Sequence, residues 1–180
     1  MSGDIAAQVR RGPPPLGKTD MEYLIGVLLA LGIAAGAAAV GADRDRVFYP
    51  MMLVVIASYY VLFAVMGGAA SALLIEAGVM GGFVVVAVMG FKHSPWLVVA
   101  ALAGHGALDL IHPHLIANPG VPPWWPMFCM AFDLTAAAAL AARLAVAGGS
   151  TGRPRSIPRR SAGGPPDRAE SGLRSDDRFA

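Results

Sequence analysis

The stretch from Val47 to Phe91, VFYPMMLVVIASYYVLFAVMGGAASALLIEAGVMGGFVVVAVMGF, holds a single formal charge, Glu76. Gly67-Gly68 divides it into two apolar runs, each close to the roughly 20 residues a helix needs to cross the hydrocarbon core of a bilayer. The same poverty of charge extends onward to Ala142. Over those 96 residues only Glu76, Lys92, Asp109 and Asp133 are charged, whereas a soluble domain carries about 25% charged residues. Such a segment does not form a water-exposed globule. The chain as a whole is 56% hydrophobic and 14% charged over 180 residues.

The pattern predicts an all-α, polytopic membrane bundle of about five transmembrane helices, with spans near 21–41, 47–66, 69–91, 95–112 and 125–146. Pro95 is acceptable in the first turn of the fourth helix, and Pro113 marks its end at His112, because the residue before a proline disfavours helical geometry. Residues 1–20, with the Gly12-Pro13-Pro14-Pro15 run, and residues 148–180, rich in Arg, Pro and Gly, read as disordered tails.

One cysteine, Cys129, excludes an internal disulfide. Nothing in the chain reads as a nucleic-acid module, and the basic tails fit topology or anionic lipid instead. An odd number of spans puts the tails on opposite sides. The C-terminal side collects Arg44, Arg46, Lys92, Arg143, Arg153, Arg155, Arg159 and Arg160, against Arg10, Arg11 and Lys18 on the other. The positive-inside rule then places the C-terminus in the cytoplasm and the N-terminus outside. Val40-Gly41-Ala42 also fits a signal-peptidase site, but cleavage there would leave the arginine-rich tail outside, against the charge count. Trp124 and Trp125 would anchor at the outer interface and Trp96 at the inner one.

The fourth span carries GHGALDLIHPH, Gly104 to His114. His105, Asp109 and His112 stand at i, i+4 and i+7, so they share one helix face. Counting rise per residue brings Glu76 on the third helix, Asp133 on the fifth, and Ser58, Tyr59 and Tyr60 on the second to the same layer, roughly 10 Å below the outer surface. Ionisable groups at such depth oppose insertion by about 2.5–3.5 kcal/mol each and are functional candidates by default.

Two metal arrangements fit these residues. Asp109-x-x-His112 is related to the Glu-x-x-His of di-iron bundles, with Glu76 and Asp133 as the single carboxylates from other helices. A mononuclear centre would use His105, Asp109 and either Glu76 or Asp133, with a position open to water. Cys129 is the one thiol able to join it. The leading expectation is a metal-dependent membrane enzyme acting on a lipid or amphiphile. Zinc, iron or manganese would be held by His105, Asp109, Glu76 and Asp133. His112 would serve as ligand or acid/base, and Tyr59 or Tyr60 would donate to the metal-bound water or substrate. Asn118 to Pro126 would line the mouth. The alternative is a non-catalytic membrane protein whose polar layer is a proton or solute pathway, or an interhelical packing network. Gly32 and Gly36 form a GxxxG motif that fits homo-oligomer contact or close packing inside the monomer.

FYP, YYVLFA, the GHGxxD-plus-histidine run, NPGVPxWWP and FCxxFD together resemble a group of uncharacterised small bacterial integral membrane proteins, over about Asp43 to Ala142. The resemblance implies a multi-pass protein of the bacterial cytoplasmic membrane. More loosely, the His-x-x-x-Asp face with a nearby serine is similar to metal-dependent membrane hydrolases of the alkaline ceramidase and progestin-receptor type. Those have seven spans and further histidines on a late helix, where this chain has Asp133.

Overall fold

The computed structural model of the chain describes residues 17–150. The expected tails at 1–16 and 151–180, with Arg10, Arg11, Arg153, Arg155, Arg159 and Arg160, lie outside the described residues. Five long helices carry the architecture: α1 (Lys18–Val40), α2 (Phe48–Met66), α3 (Ala70–Lys92), α4 (Pro95–Leu115) and α5 (Trp125–Ser150), with a short 3-10 turn at Ala42–Arg44. All five are long and apolar enough to cross a membrane. This is the fold of a multi-pass membrane protein.

The connections follow from local chemistry. Gly41 ends α1 at φ 79°, a left-handed conformation that glycine adopts without a Cβ penalty. Gly67-Gly68 builds a Schellman turn: Gly68 sits at φ 64°, Gly68 N–H donates to Val65 O, and Ala69 N–H donates to Ala64 O. A hairpin between α2 and α3 therefore needs no polar loop.

Three boundaries differ from expectation. Residues 18–20 and 148–150, assigned above to the tails, are helical and extend α1 and α5. Helix α4 also passes Pro113 and ends at Leu115 rather than His112. So close to the end, proline forfeits a single intrahelical bond, and the last turn is closed by Ile116 N–H donating to His112 O at 2.9 Å. His114 is thus in that last turn, exposed.

Helix α4 is central. It packs on α5, α3 and α2, while α1 lies on the far side of α5. Close approach of α4 and α5 depends on Gly106, where an added Cβ would stand 3.2 Å from Met130 O and 3.3 Å from Asp133 Cβ. The core at the Arg143 end of the bundle is apolar, built on Leu53, Val98, Leu102, Phe132 and Leu140. Asp43 and Arg143 form an ion pair there, joining the α1–α2 turn to α5. At the other end the loop after α4 folds back over the bundle. Gly120 sits against Phe63 O and Gly67, with no room for a Cβ. That contact holds the loop down over the polar layer.

Candidate metal centre

The stripe predicted on α4 is present and faces inward: His105, Asp109 and His112 are all at most 2% exposed. Glu76 on α3 and Asp133 on α5 are equally buried. The neighbouring helices sort these residues into two adjoining groups.

The deeper group joins α4 to α5. His105 Nδ1 lies 2.7 Å from Asp133 Oδ2 and 3.6 Å from Asp109 Oδ2. Cys129 is one helical turn before Asp133, on the same face, and its Sγ lies 3.9 Å from Asp133 Oδ2. Ligand atoms of His105, Asp109, Cys129 and Asp133 all fall within 4.8 Å of one another, and all four residues are buried. Tyr60 on α2 donates its hydroxyl to Asp109 Oδ1 at 2.6 Å. The remaining oxygens are unusual. Asp109 Oδ2 and Asp133 Oδ1 are buried with no hydrogen-bond partner among the described residues.

The second group joins α4 to α3 and the loop. His112 Nε2 lies 2.8 Å from Glu76 Oε1. Asn118 donates from Nδ2 to the same Glu76 oxygen and to Tyr60 O, both at 3.0 Å. The Tyr60 ring stacks on His112 with centroids 4.0 Å apart. Tyr60 therefore touches both groups, by its hydroxyl on one side and its ring face on the other. His112 and Asn118 also line a cavity of about 520 Å³ with Pro119, Pro122 and Pro126, so the expected mouth region does border the polar layer.

Glu76, expected beside His105, is instead engaged by His112 and Asn118. Tyr59 is 37% exposed, packs on Trp125, and stands outside both groups, because adjacent helix residues point about 100° apart. Ser58 bonds its own backbone at Val55 O. Two members had only an outlying place in the sequence reading, Cys129 as a thiol able to join the metal and Asn118 as part of the mouth. The i, i−4 spacing of Cys129 to Asp133 was legible, whereas the inward turn of Asn118 had no signal in an irregular Asn-Pro-Gly loop.

Spacing in the deeper group suits a small cation. A tetrahedral ion with bonds of about 2.0–2.3 Å to N, O and S holds its ligand atoms roughly 3.3–3.6 Å apart. The 3.6 and 3.9 Å separations are near that range; the 2.7 Å pair is a hydrogen bond that would have to open for a cation to replace its proton. Charge also fits. Two carboxylates, a divalent cation and a neutral imidazole sum to zero when Cys129 stands beside the ion as a thiol, a balance that a low-dielectric interior favours; as a thiolate ligand it would add one negative charge. No family model, curated protein or solved structure matches the chain, so the reading of this centre rests on its own residues.

Proposed function

We propose that the chain is a divalent-metal-dependent membrane enzyme acting on a lipid or amphiphile, with the metal held by His105, Asp109 and Asp133 and flanked by Cys129. The observation that carries the proposal is the pair of buried carboxylate oxygens, Asp109 Oδ2 and Asp133 Oδ1, that meet no donor among the described residues. An orphaned buried acceptor costs about 1–3 kcal/mol and calls for an explanation such as a bound ion. A cation seated between the two aspartates would give both carboxylates a positive partner.

In this reading Tyr60 holds Asp109 by its second oxygen, which orients the first toward the metal, as outer partners of metal ligands commonly do. His112, with Glu76 behind it, is the acid/base group nearest the mouth. Tyr59 has no role at the metal. The metal supplies Lewis-acid polarisation or a more acidic bound water. The membrane is the bacterial inner membrane, with the C-terminus on the cytoplasmic side.

One arrangement favours a second reading. Polar bonds join α4 to α2 (Tyr60–Asp109), to α3 (His112–Glu76) and to α5 (His105–Asp133), as a packing network would. Metal analysis separates the two. The full chain, purified in mild detergent, is expected to carry near-stoichiometric zinc, iron or manganese by mass spectrometry. Asp133→Asn should lose that metal. Absence of metal, with an Asp133→Asn variant that melts earlier, sinks the enzyme reading and leaves a packing layer. Absence of metal with unchanged stability points to a proton path, measured as flux in liposomes.

A further inference from the structure

Helix α1 rests on α5, and its pairing with α2 is at most marginal. Between α1 and α2 the bundle is therefore open on its side, with α5 as the floor. Two cavities occupy the opening. The inner one, about 320 Å³, is walled by Leu29, Ile33, Met52, Val55 and Phe132 and reaches Cys129. The outer one, about 620 Å³, runs to Met21, Glu22 and Trp124. Leu29, Trp125 and Phe128 line both, so the two are one groove. It runs from the end of the bundle that carries the tryptophan pair down to the thiol beside Asp133.

We infer that this groove binds the acyl chain of a membrane lipid, entering sideways between α1 and α2, and presents it to the metal centre at Cys129. The inference rests on the metal reading for its chemical purpose, though not for the groove itself. Three features select the occupant. Inside the rim, where Glu22 and Trp124 stand, the walls are apolar apart from the Tyr59 hydroxyl, the Trp125 indole and the Cys129 thiol, so a polar solute would find few partners. The opening faces the hydrocarbon of the bilayer, where acyl chains are the surrounding solvent. Its inner end is also nearly closed. Cys129 is 2% exposed, which a slender flexible chain can approach and a helix about 10 Å across cannot. A second copy of the chain can cover the rim but cannot reach Cys129. Glu22 and Trp124 stand at that rim, where a headgroup would lie and where indoles settle at the interface.

The test is photolabelling of the full chain in phosphatidylcholine nanodiscs containing a phosphatidylcholine with a diazirine near the end of one acyl chain. Peptides carrying Leu29–Ile33, Met52–Tyr59 and Cys129–Phe132 should be labelled several-fold above the lipid-facing α3 segment of Val85, Val88 and Met89. Ile33→Trp should fill the groove and abolish that excess while leaving α3 labelling unchanged. Label distributed over all helices in proportion to exposure would overturn the inference. So would unlabelled groove peptides accompanied by a covalent dimer on chemical cross-linking, the mark of a second copy across the rim. Parallel labelling of Asp133→Asn keeps the two proposals apart. Groove labelling without metal in the parent chain refutes the centre alone; bound metal with evenly spread label refutes the groove alone.

Discussion

Two histidines seven residues apart on α4 each meet a carboxylate from a neighbouring helix, and the two pairs end differently. His112 meets Glu76, Asn118 adds a further donor, and neither His112 nor Glu76 leaves a buried polar atom without a partner among the described residues. His105 meets Asp133, a second carboxylate stands 3.6 Å away, and two oxygens are left without donors. The chemistry of the pairs is the same; what differs is how many carboxylates share one histidine. Above, a single carboxylate meets His112, and Asn118 from the loop adds a second donor to the same oxygen. Below, two carboxylates meet His105, and the donors from Tyr60 and Cys129 fall on Asp109 Oδ1 and Asp133 Oδ2, leaving the other oxygen of each without one. A hydrogen-bonded pair positions helices, whereas buried acceptors left without donors call for an explanation, of which a bound ion is one.

His105→Ala tests that contrast most severely. Removing the ring nitrogen that both buried carboxylates share should cost about 3–5 kcal/mol, the usual effect of stranding a buried charge. The unfolding temperature in detergent should fall accordingly, and bound metal should drop to background. Retention of both metal and stability would erase the distinction between the pairs.

Glu76→Gln should be milder. The amide still bonds His112, so the loss is that of charge assistance, about 1 kcal/mol, and the metal content should stay at the parent level. If metal is lost there too, the groups act as one centre and the two-metal arrangement regains its place.

Cys129→Ser should have the smallest effect on stability, well under about 1.5 kcal/mol for a near-isosteric change. Its readout is selectivity. Exchanging sulfur for oxygen should shift competition in equilibrium dialysis from zinc toward manganese. An unaltered preference would place the thiol outside the coordination sphere, as a wall of the groove alone.

Much of this was legible before any fold was known. Four charges across 96 residues left no alternative to a membrane bundle, and the Gly-Gly turn and the Pro95 start were correctly read as helix boundaries. The inward stripe on α4 followed from spacing, since an α-helix repeats every 3.6 residues whatever surrounds it. Depth arithmetic also brought Tyr60, Glu76 and Asp133 to the stripe, because rise per residue is equally constant. Pro113 misled, since a helix tolerates the loss of one bond in its final turn.

Period and rise are properties of the chain alone, so membrane class, helix number, the face of α4 and the shared polar layer were determined by sequence. Which carboxylate meets which histidine depends on the rotation of one helix against another, and no local rule contains that angle. Close approach at Gly106 set Asp133 and Cys129 beside His105, while the seating of Gly120 on Phe63 brought Asn118 down to Glu76. Only tertiary packing decided that a layer of similar residues became one pair joined by a loop donor and one group with two buried oxygens that meet no donor among the described residues.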